Sequence, residues 1–317
     1  MKLLDSYDQI HLNQSAITIG GYDGIHLGHR MLIRSMVDYA RENDVPSILI
    51  TFNPSPYIFF KRSHNIGNIT LPHERAEILE RIGIDYLITL PFTNELANIP
   101  ANVFISELIK HLGMNSLWIG VDFSLGKNRE GDQKALQKLE QTLNFKLFII
   151  PQLILQNSVV SSTRIRNLIG HGNVKEAACL LGRPYAIENE VIHGARVGHK
   201  IGVPTINMML PSGKLLPPLG VYVTRICVNG VWEKGITAIG IRPTFYQDGD
   251  LVIETFIPGK NGNVYGKTAK VELLDFVRPE MKFCSIKELQ NQISRDVEYM
   301  VQYFQQNPMD SPETASS

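Results

Sequence analysis

The feature that most constrains this chain is the alternation that runs through its first 150 residues. Short apolar, Ile-rich runs at Ala16–Ile19, Ser47–Phe52, Tyr86–Leu90, Leu117–Ile119 and Phe145–Ile150 take turns with segments of helical period. Such runs suit strands covered on both faces. In the first helical segment Leu32, Ile33, Met36, Val37 and Ala40 fall on one side. Thr70 suits the N-cap of the second, with Pro72 in its opening turn. A third spans Ala101–Leu112 and a fourth Asp132–Leu143. Repeated β-α-β units imply an α/β, doubly wound parallel sheet with right-handed crossovers.

Two further helical stretches follow Ser161, the second ending at Gly182, and Arg183-Pro184-Tyr185 then marks a change of regime. From there β-branched runs are separated by turn residues. Val221–Val228 and Val231–Ile236 flank Asn229-Gly230, a strong type I′ hairpin signal, and Val252–Ile257 and Thr268–Phe276 continue the pattern. This reads as a compact all-β barrel or sandwich closed by a helix over Ile286–Phe304. The expected division is 1–183, 184–306, and a Pro/Ser/Thr-rich tail, 307–317, expected to be disordered.

Composition acts mainly by exclusion. Lys and Arg number 31 and so do Asp and Glu, which argues against nucleic acid or an anionic membrane as partner. The opening Met1–Gln9 lacks the apolar core of a secretory signal. The longest apolar stretch, Leu147–Leu155, is interrupted by Pro151 and Gln152 and is too short to span a bilayer. Cys179, Cys227 and Cys284 are scattered, as thiols of a reducing compartment are. The expectation is a cytoplasmic protein acting on small molecules, and a weak homo-oligomer is compatible with it.

The chemistry gathers at the ends of the apolar runs. Gly20 to His29 reads G-G-Y-D-G-I-H-L-G-H and leads from the first run into the first helix. A helix start has bare N–H groups, and Gly20, Gly24 and Gly28 allow a phosphate to come close. His26 and His29, three apart, can face the same phosphate and offset charge around a phosphorus under attack. Asp23 can orient an imidazole or approach a metal. Ser161 to Arg166, S-S-T-R-I-R, offers a phosphate clamp through Ser162, Thr163 and Arg166. Asp122 follows the fourth run and can bond an adenine or a ribose. Each cluster also has a plainer reading: an ordinary helix opening, an N-cap, a turn. Together, at carboxyl ends of strands in one domain, they point to a nucleotide and a reaction at phosphorus.

In the second half, His193 to Asn207 reads H-G-A-R-V-G-H-K-I-G-V-P-T-I-N. Gly194, Gly198 and Gly202 can form a loop whose N–H groups face phosphate. Thr205 and Asn207, alternate residues of an extended segment, share a face and can offer oxygens to Mg²⁺. A glycine-rich turn followed by a strand fits the same letters. Glu254 lies within the otherwise apolar run Leu251–Ile257, either on a solvated face or as a site carboxylate.

In order and spacing, these motifs resemble the bacterial bifunctional riboflavin kinase/FMN adenylyltransferase (FAD synthetase) family, from Ile17 to the helix after Ile286. That family carries G-N-F-D-G-V-H-L-G-H, T-F-x-P-H-P, G-x-D/N-F-x-F-G-x-x-R-x-G-D and S-S-T-x-I-R. They match Gly20–His29, Thr51–Pro56, Gly120–Asp132 and Ser161–Arg166. Its kinase motifs match Gly202–Asn207, Pro218–Tyr222, Ile239–Thr244 and Glu254. The resemblance implies a nucleotidyltransferase-like first domain in which the phosphate of FMN attacks the α-phosphorus of ATP, with Mg²⁺ present. His26 and His29 would stabilise that transition state, Asp122 would hold the nucleotide, and Ser162, Thr163 and Arg166 would grip phosphates. In the second domain Thr205 and Asn207 would hold Mg·ATP while Glu254 deprotonates the ribityl hydroxyl of riboflavin. Departures are Gly21 for Asn, Tyr22 for Phe, Ser55 for His, Ser124-Leu125 for Arg-Phe, Val197 and His199 for basic residues, Ala238 for Asn and Phe256 for His; Pro258 to Asn263 replaces the usual strand end. They leave room for an adenylyltransferase with weak or lost kinase activity, or a non-catalytic flavin- or nucleotide-binding regulator.

Overall fold

The computed structural model of the chain describes residues 1–61, 67–194, 203–241, 251–260 and 264–308. It divides into two compact units, Met1–Ser162 and Thr163–Ser317.

The first unit alternates as expected. β1 (Lys2–Leu4) and β2 (Ser15–Ile19) lead to α1 (Leu27–Glu42), then β3 (Ser47–Asn53), α2 (Pro56–Lys61), α3 (Pro72–Ile82) and β4 (Tyr86–Pro91). α4 (Asn94–Ala97), α5 (Ala101–Leu112), β5 (Met114–Gly120), α6 (Gln133–Leu143) and β6 (Lys146–Ile150) follow, with a two-stranded ribbon of β7 (Ile154–Leu155) and β8 (Ser158–Val159). The main sheet is wholly parallel in the order β1-β4-β3-β2-β5-β6. From β2 the chain first builds outward through β3 and β4, then returns to add β5 and β6 on the other side. The strand order therefore reverses between β2 and β5, where an open α/β sheet leaves a crevice beyond its carboxyl ends.

Neighbouring residues of a strand face opposite ways, and each face has its own core. Ile17, Ile48, Ile88 and Leu117 pack with Phe104, Ile105 and Leu108 of α5 and Leu136 of α6. Ala16, Leu49, Leu87 and Trp118 pack with Ile33, Met36, Val37 and Ala40 of α1 and Leu79 of α3. The strand β1 is not visible as a run in the sequence because it has three residues at a sheet edge, two of them exposed. Thr70 does not cap α3. Leu71 occupies that position, its N–H held by Glu74 Oε2 at 2.8 Å. The Thr70 hydroxyl instead accepts the N–H of Gly24 at 2.9 Å.

In the second unit α7 (Ser162–Gly170, its first residue in the first unit) and α8 (Val174–Leu181) precede six strands. These are β9 (Tyr185–Ile192), β10 (Thr205–Met209), β11 (Gly220–Val228), β12 (Val231–Ile241), β13 (Leu251–Phe256) and β14 (Thr268–Pro279). They close into an antiparallel barrel, β10-β13-β12-β11-β14-β9. The turn between β11 and β12 has positive φ at both Asn229 (52°) and Gly230 (79°), as a type I′ turn requires. Gly182 ends α8 in the left-handed conformation. The final helix, α9 (Ile286–Gln306), lays Met300 and Phe304 on Val221, Val223 and Ile236. Arg278 of β14 holds it there through a two-pronged pair with the buried Asp296, at 3.0 and 2.7 Å. Gly198 and Gly202, with Val197 and His199, lie outside the described residues, as do 242–244 and most of the tail.

Candidate functional sites

Gly20 to His26 form the turn between β2 and α1, at the carboxyl edge of the sheet and on the side where the strand order reverses. The turn is unusual: Tyr22 and Ile25 both have positive φ (43° and 37°), a region that side chains avoid. Its surroundings hold it in place. The Gly21 carbonyl accepts Arg75 Nη1 at 2.9 Å and the Thr51 hydroxyl at 3.3 Å. Both carboxylate oxygens of Asp23 accept backbone N–H groups, from Ile69 at 3.1 Å and Thr70 at 2.9 Å. Asp23 thus ties this turn to the approach of α3, a structural task the sequence reading did not assign to it. Ser162 Oγ donates to the Asp23 carbonyl at 2.8 Å, so the first residue of S-T-R-I-R anchors the same turn.

His26 is the N-cap of α1, its Nδ1 accepting the N–H of His29 at 3.2 Å. With Nδ1 an acceptor, the neutral ring carries its proton on Nε2. The two imidazoles stack at 3.6 Å between centroids, 17° from parallel. A Cβ on Gly28 would stand 3.3 Å from the His26 ring, so this glycine leaves room for the cap. The Nδ1 of His29 is buried with no hydrogen-bond partner. Burial first, and then the neighbouring His26, hold the His29 pKa well below the ordinary imidazole value. His29 is therefore neutral at pH 7 in the free protein, not a standing positive charge.

This has a consequence for stability. Below about pH 6.5 the unfolded chain takes up a proton at His29 that the folded chain refuses, so the stabilisation is present above that pH and lost as pH falls. The thermal midpoint of the first unit is expected to drop by about 3 °C more per pH unit below 6.5 in the wild type than in His29→Gln. Calorimetric scans of both proteins between pH 7.5 and 5.5 check this, and parallel curves would contradict it.

The remaining residues of the first unit divide. Asp122 stands two residues beyond β5, exposed, its carboxylate hydrogen-bonded by Gln152 Nε2. Ser124 accepts Arg129 Nε at 2.7 Å, and Asp132 caps α6 through the N–H of Ala135 at 2.9 Å. Ser55 Oγ accepts the N–H of Ile58 at 3.4 Å and so opens α2. The sequence reading missed an aromatic cluster. Phe52, Phe59, Phe60 and Phe92 meet edge to face at 5.2 to 5.7 Å around the carboxyl ends of β3 and β4, with Phe60 66 % exposed. The signal for it was the run P-Y-I-F-F after Ser55, together with Pro91-Phe92. Among the described residues no group of three or more His, Cys, Asp or Glu is arranged to hold a metal ion.

In the second unit Thr163 and Arg166 lie on α7, and Arg164 of the same motif pairs with Glu176 at 2.9 Å. On the barrel, Asn207 of β10 stands directly opposite Glu254 of β13, and Glu254 stands opposite Ala238 of β12. Opposed residues of an antiparallel pair share a face, so Thr205, Asn207 and Glu254 form one patch. It lies on the outside, because the alternate residues Ile253 and Thr255 are buried within the barrel. Asn207 is 5 % exposed and donates through Nδ2 to the carbonyl and the hydroxyl of Thr205, each at 3.1 Å. Its Oδ1 is buried and has no hydrogen-bond partner among the described residues. Gly194 closes the patch: a Cβ there would come within 2.6 Å of the Asn207 amide. The rings of the adjacent His193 and of Tyr265 lie 3.7 Å apart between centroids, tilted by 32°.

Two family models match, FAD synthetase over residues 8–164 and riboflavin kinase over residues 181–304. Proteins called bifunctional riboflavin kinase/FMN adenylyltransferase match along most of their length. That of Listeria monocytogenes is 31% identical over 88% of this chain and 89% of its own. Those of Bacillus subtilis and Escherichia coli K12 are 33% and 34% identical, over 92% and 88% of this chain and 93% and 90% of theirs. The chain belongs to that bifunctional family. A crystal structure from Streptococcus pneumoniae, titled a macrolide-efflux protein, superposes with a TM-score of 0.85 at 31% identity, covering 95% of this chain and 98% of the other. No described helix is long and apolar enough to cross a membrane.

Proposed function

We propose that the stacked His26–His29 pair and the Thr205–Asn207–Glu254 patch are the two reaction centres of FAD synthesis in this chain. The chain is a bifunctional riboflavin kinase and FMN adenylyltransferase. It transfers the γ-phosphoryl group of ATP to riboflavin, giving FMN and ADP. It then joins FMN to the adenylyl group of a second ATP, giving FAD and pyrophosphate. The functional division follows 1–183 for adenylyl transfer and 184–306 for the kinase, the tail 307–317 taking no part. The chemistry calls for soluble cytoplasmic substrates and for neither nucleic acid nor membrane.

The observation that carries the first assignment is two stacked imidazoles at a helix N-terminus, on the carboxyl edge of a parallel sheet where its strand order reverses. The phosphate of FMN is already anionic and attacks the α-phosphorus without a strong base. What the site must supply is hydrogen-bond donors for the charge that builds on the non-bridging oxygens. The Nε2–H of His26 is one. His29, neutral in the free protein, has an unfilled buried Nδ1; a polyphosphate beside it raises its pKa and draws in a proton when the charge is needed. Asp122 and Ser162 serve the nucleotide, Thr163 and Arg166 are assigned to its phosphates by their motif alone, and the Phe59–Phe60–Phe92 cluster, with Phe60 exposed, offers an apolar platform for a planar flavin ring.

For the kinase centre the support is the register that sets Asn207 opposite Glu254. A ribityl hydroxyl needs a base, and Glu254 is the carboxylate in this patch. The unpartnered Asn207 Oδ1 and the Thr205 hydroxyl are hard oxygens of the kind Mg²⁺ takes, so the donor set fits the ion as Mg·ATP. When bound, the ion offsets charge on the phosphates. In the adenylyltransferase unit both carboxylate oxygens of Asp23 accept backbone N–H groups, so Asp23 would be a poorer holder for Mg²⁺ than Thr205 and Asn207 are in the other unit.

Product chromatography after incubation with ATP and Mg²⁺ tests the whole reading. FAD is expected from riboflavin and from FMN, with FMN as the intermediate. FAD from FMN alone would leave the barrel without its kinase role, and bound flavin with no product would make the chain a regulator.

A further inference from the structure

We propose that Tyr22 is a positioning residue for His29, its hydroxyl tethering the strained turn and its ring bracing the imidazole that stacks on His26. The inference rests on the adenylyl-transfer reading of this unit.

Tyr22 is 5 % exposed and adopts a φ of +43°, which a bulky side chain takes only when something else holds it there. The tether is its hydroxyl, hydrogen-bonded to Thr18 Oγ1 of β2. Thr18 Oγ1 gives its single proton to the Trp118 carbonyl of β5, at 2.8 Å, so towards Tyr22 it can only accept. Tyr22 O–H is therefore the donor, and burial raises its pKa and keeps it protonated. The hydroxyl thus links the turn to both strands at which the sheet order reverses.

The ring then has little freedom. It lies over Gly20, where an added Cβ would stand 2.9 Å from Tyr22 Cε2. It meets the His29 ring in a T-shaped contact, 5.0 Å between centroids and 71° between planes. His26 stacks on the same imidazole at 3.6 Å. His29 is thus in contact with two rings, and only one of them, His26, is fixed by the helix. The other depends on the tether.

Phenylalanine, the family's usual residue here, keeps the ring and loses the tether. In this chain the next-door Gly21 has no side chain to brace the turn, and a Cβ there would meet nothing within 4 Å. The tyrosine hydroxyl supplies a brace that Gly21 does not.

The test uses the full chain with Tyr22→Phe, Thr18→Val and the double variant. With FMN and ATP as substrates, kcat for FAD formation is expected to fall about tenfold in each single variant. KM for either substrate should stay within about twofold, since the binding groups are untouched. The double variant should be no slower than Thr18→Val alone, because either single change already removes the Thr18–Tyr22 bond and Thr18→Val takes the Trp118 bond with it. In ¹⁵N-histidine-labelled protein the His29 ring resonances should move and those of His193 should not. Riboflavin phosphorylation by the same preparations controls for folding. Unchanged kcat with a lowered thermal midpoint would make the tether merely structural and overturn the proposal. So would a loss expressed in KM alone. Wild-type protein that makes no FAD from FMN overturns the underlying reading, and this proposal with it.

Discussion

His29→Ala is expected to slow FAD formation from FMN by about two orders of magnitude or more, with riboflavin phosphorylation unchanged. The size follows from what is removed. The imidazole packs face to face with His26 and edge to face with Tyr22, and alanine deletes it without disturbing the backbone of α1, where alanine is the best of helix formers. The lost group is a donor aimed at charge that develops only in the transition state, so the effect belongs in kcat more than in KM. Steady-state assays of pyrophosphate release with FMN and ATP measure it. A near-normal rate would remove the histidine pair from the chemistry and with it the assignment of this turn as the reaction centre.

Glu254→Gln is expected to have the mirror-image effect: FMN formation falls by about two to three orders of magnitude while FAD formation from supplied FMN is kept. Glutamine has the same shape, so the register that sets residue 254 between Asn207 and Ala238 is preserved. What goes is the base that takes the proton from a neutral hydroxyl nucleophile. The FMN phosphate in the other unit needs no such base, and the two half-reactions separate cleanly in one polypeptide. Flavin product analysis from riboflavin and from FMN, on the same preparation, reads both. Undiminished phosphorylation would show that Glu254 sits on the barrel for other reasons.

Much of this was legible in the letters. The five Ile-rich runs became β2, β3, β4, β5 and β6, and the five residues assigned to one side of the first helix are the five that α1 buries. Asn229-Gly230 made its hairpin and Gly182 ended its helix. These are local rules: a period of two or 3.6, or a φ that few residues tolerate, acts within a few positions of chain. Tyr22 was the contrary case. Beside phenylalanine it reads as a mild change, and only the approach of Thr18 and Trp118 gives its hydroxyl a task. Asp23 likewise reads in sequence as a group that orients an imidazole or approaches a metal, and its bonds to the N–H groups of Ile69 and Thr70, far along the chain, add an anchoring task that no local pattern signals.

The sequence by itself determined the class of each domain, the order of elements, the family, and the residue types that each reaction needs. Backbone propensity, hydrophobic period and motif spacing carry that information, and each is local. The tertiary structure decided which of those residues come together and which hold others in place. Asn207 and Glu254 are 47 positions apart and meet only because β10 and β13 pair in one register. A carboxylate is a ligand or an anchor, and an imidazole neutral or charged, according to the donors and the water that folding leaves around it.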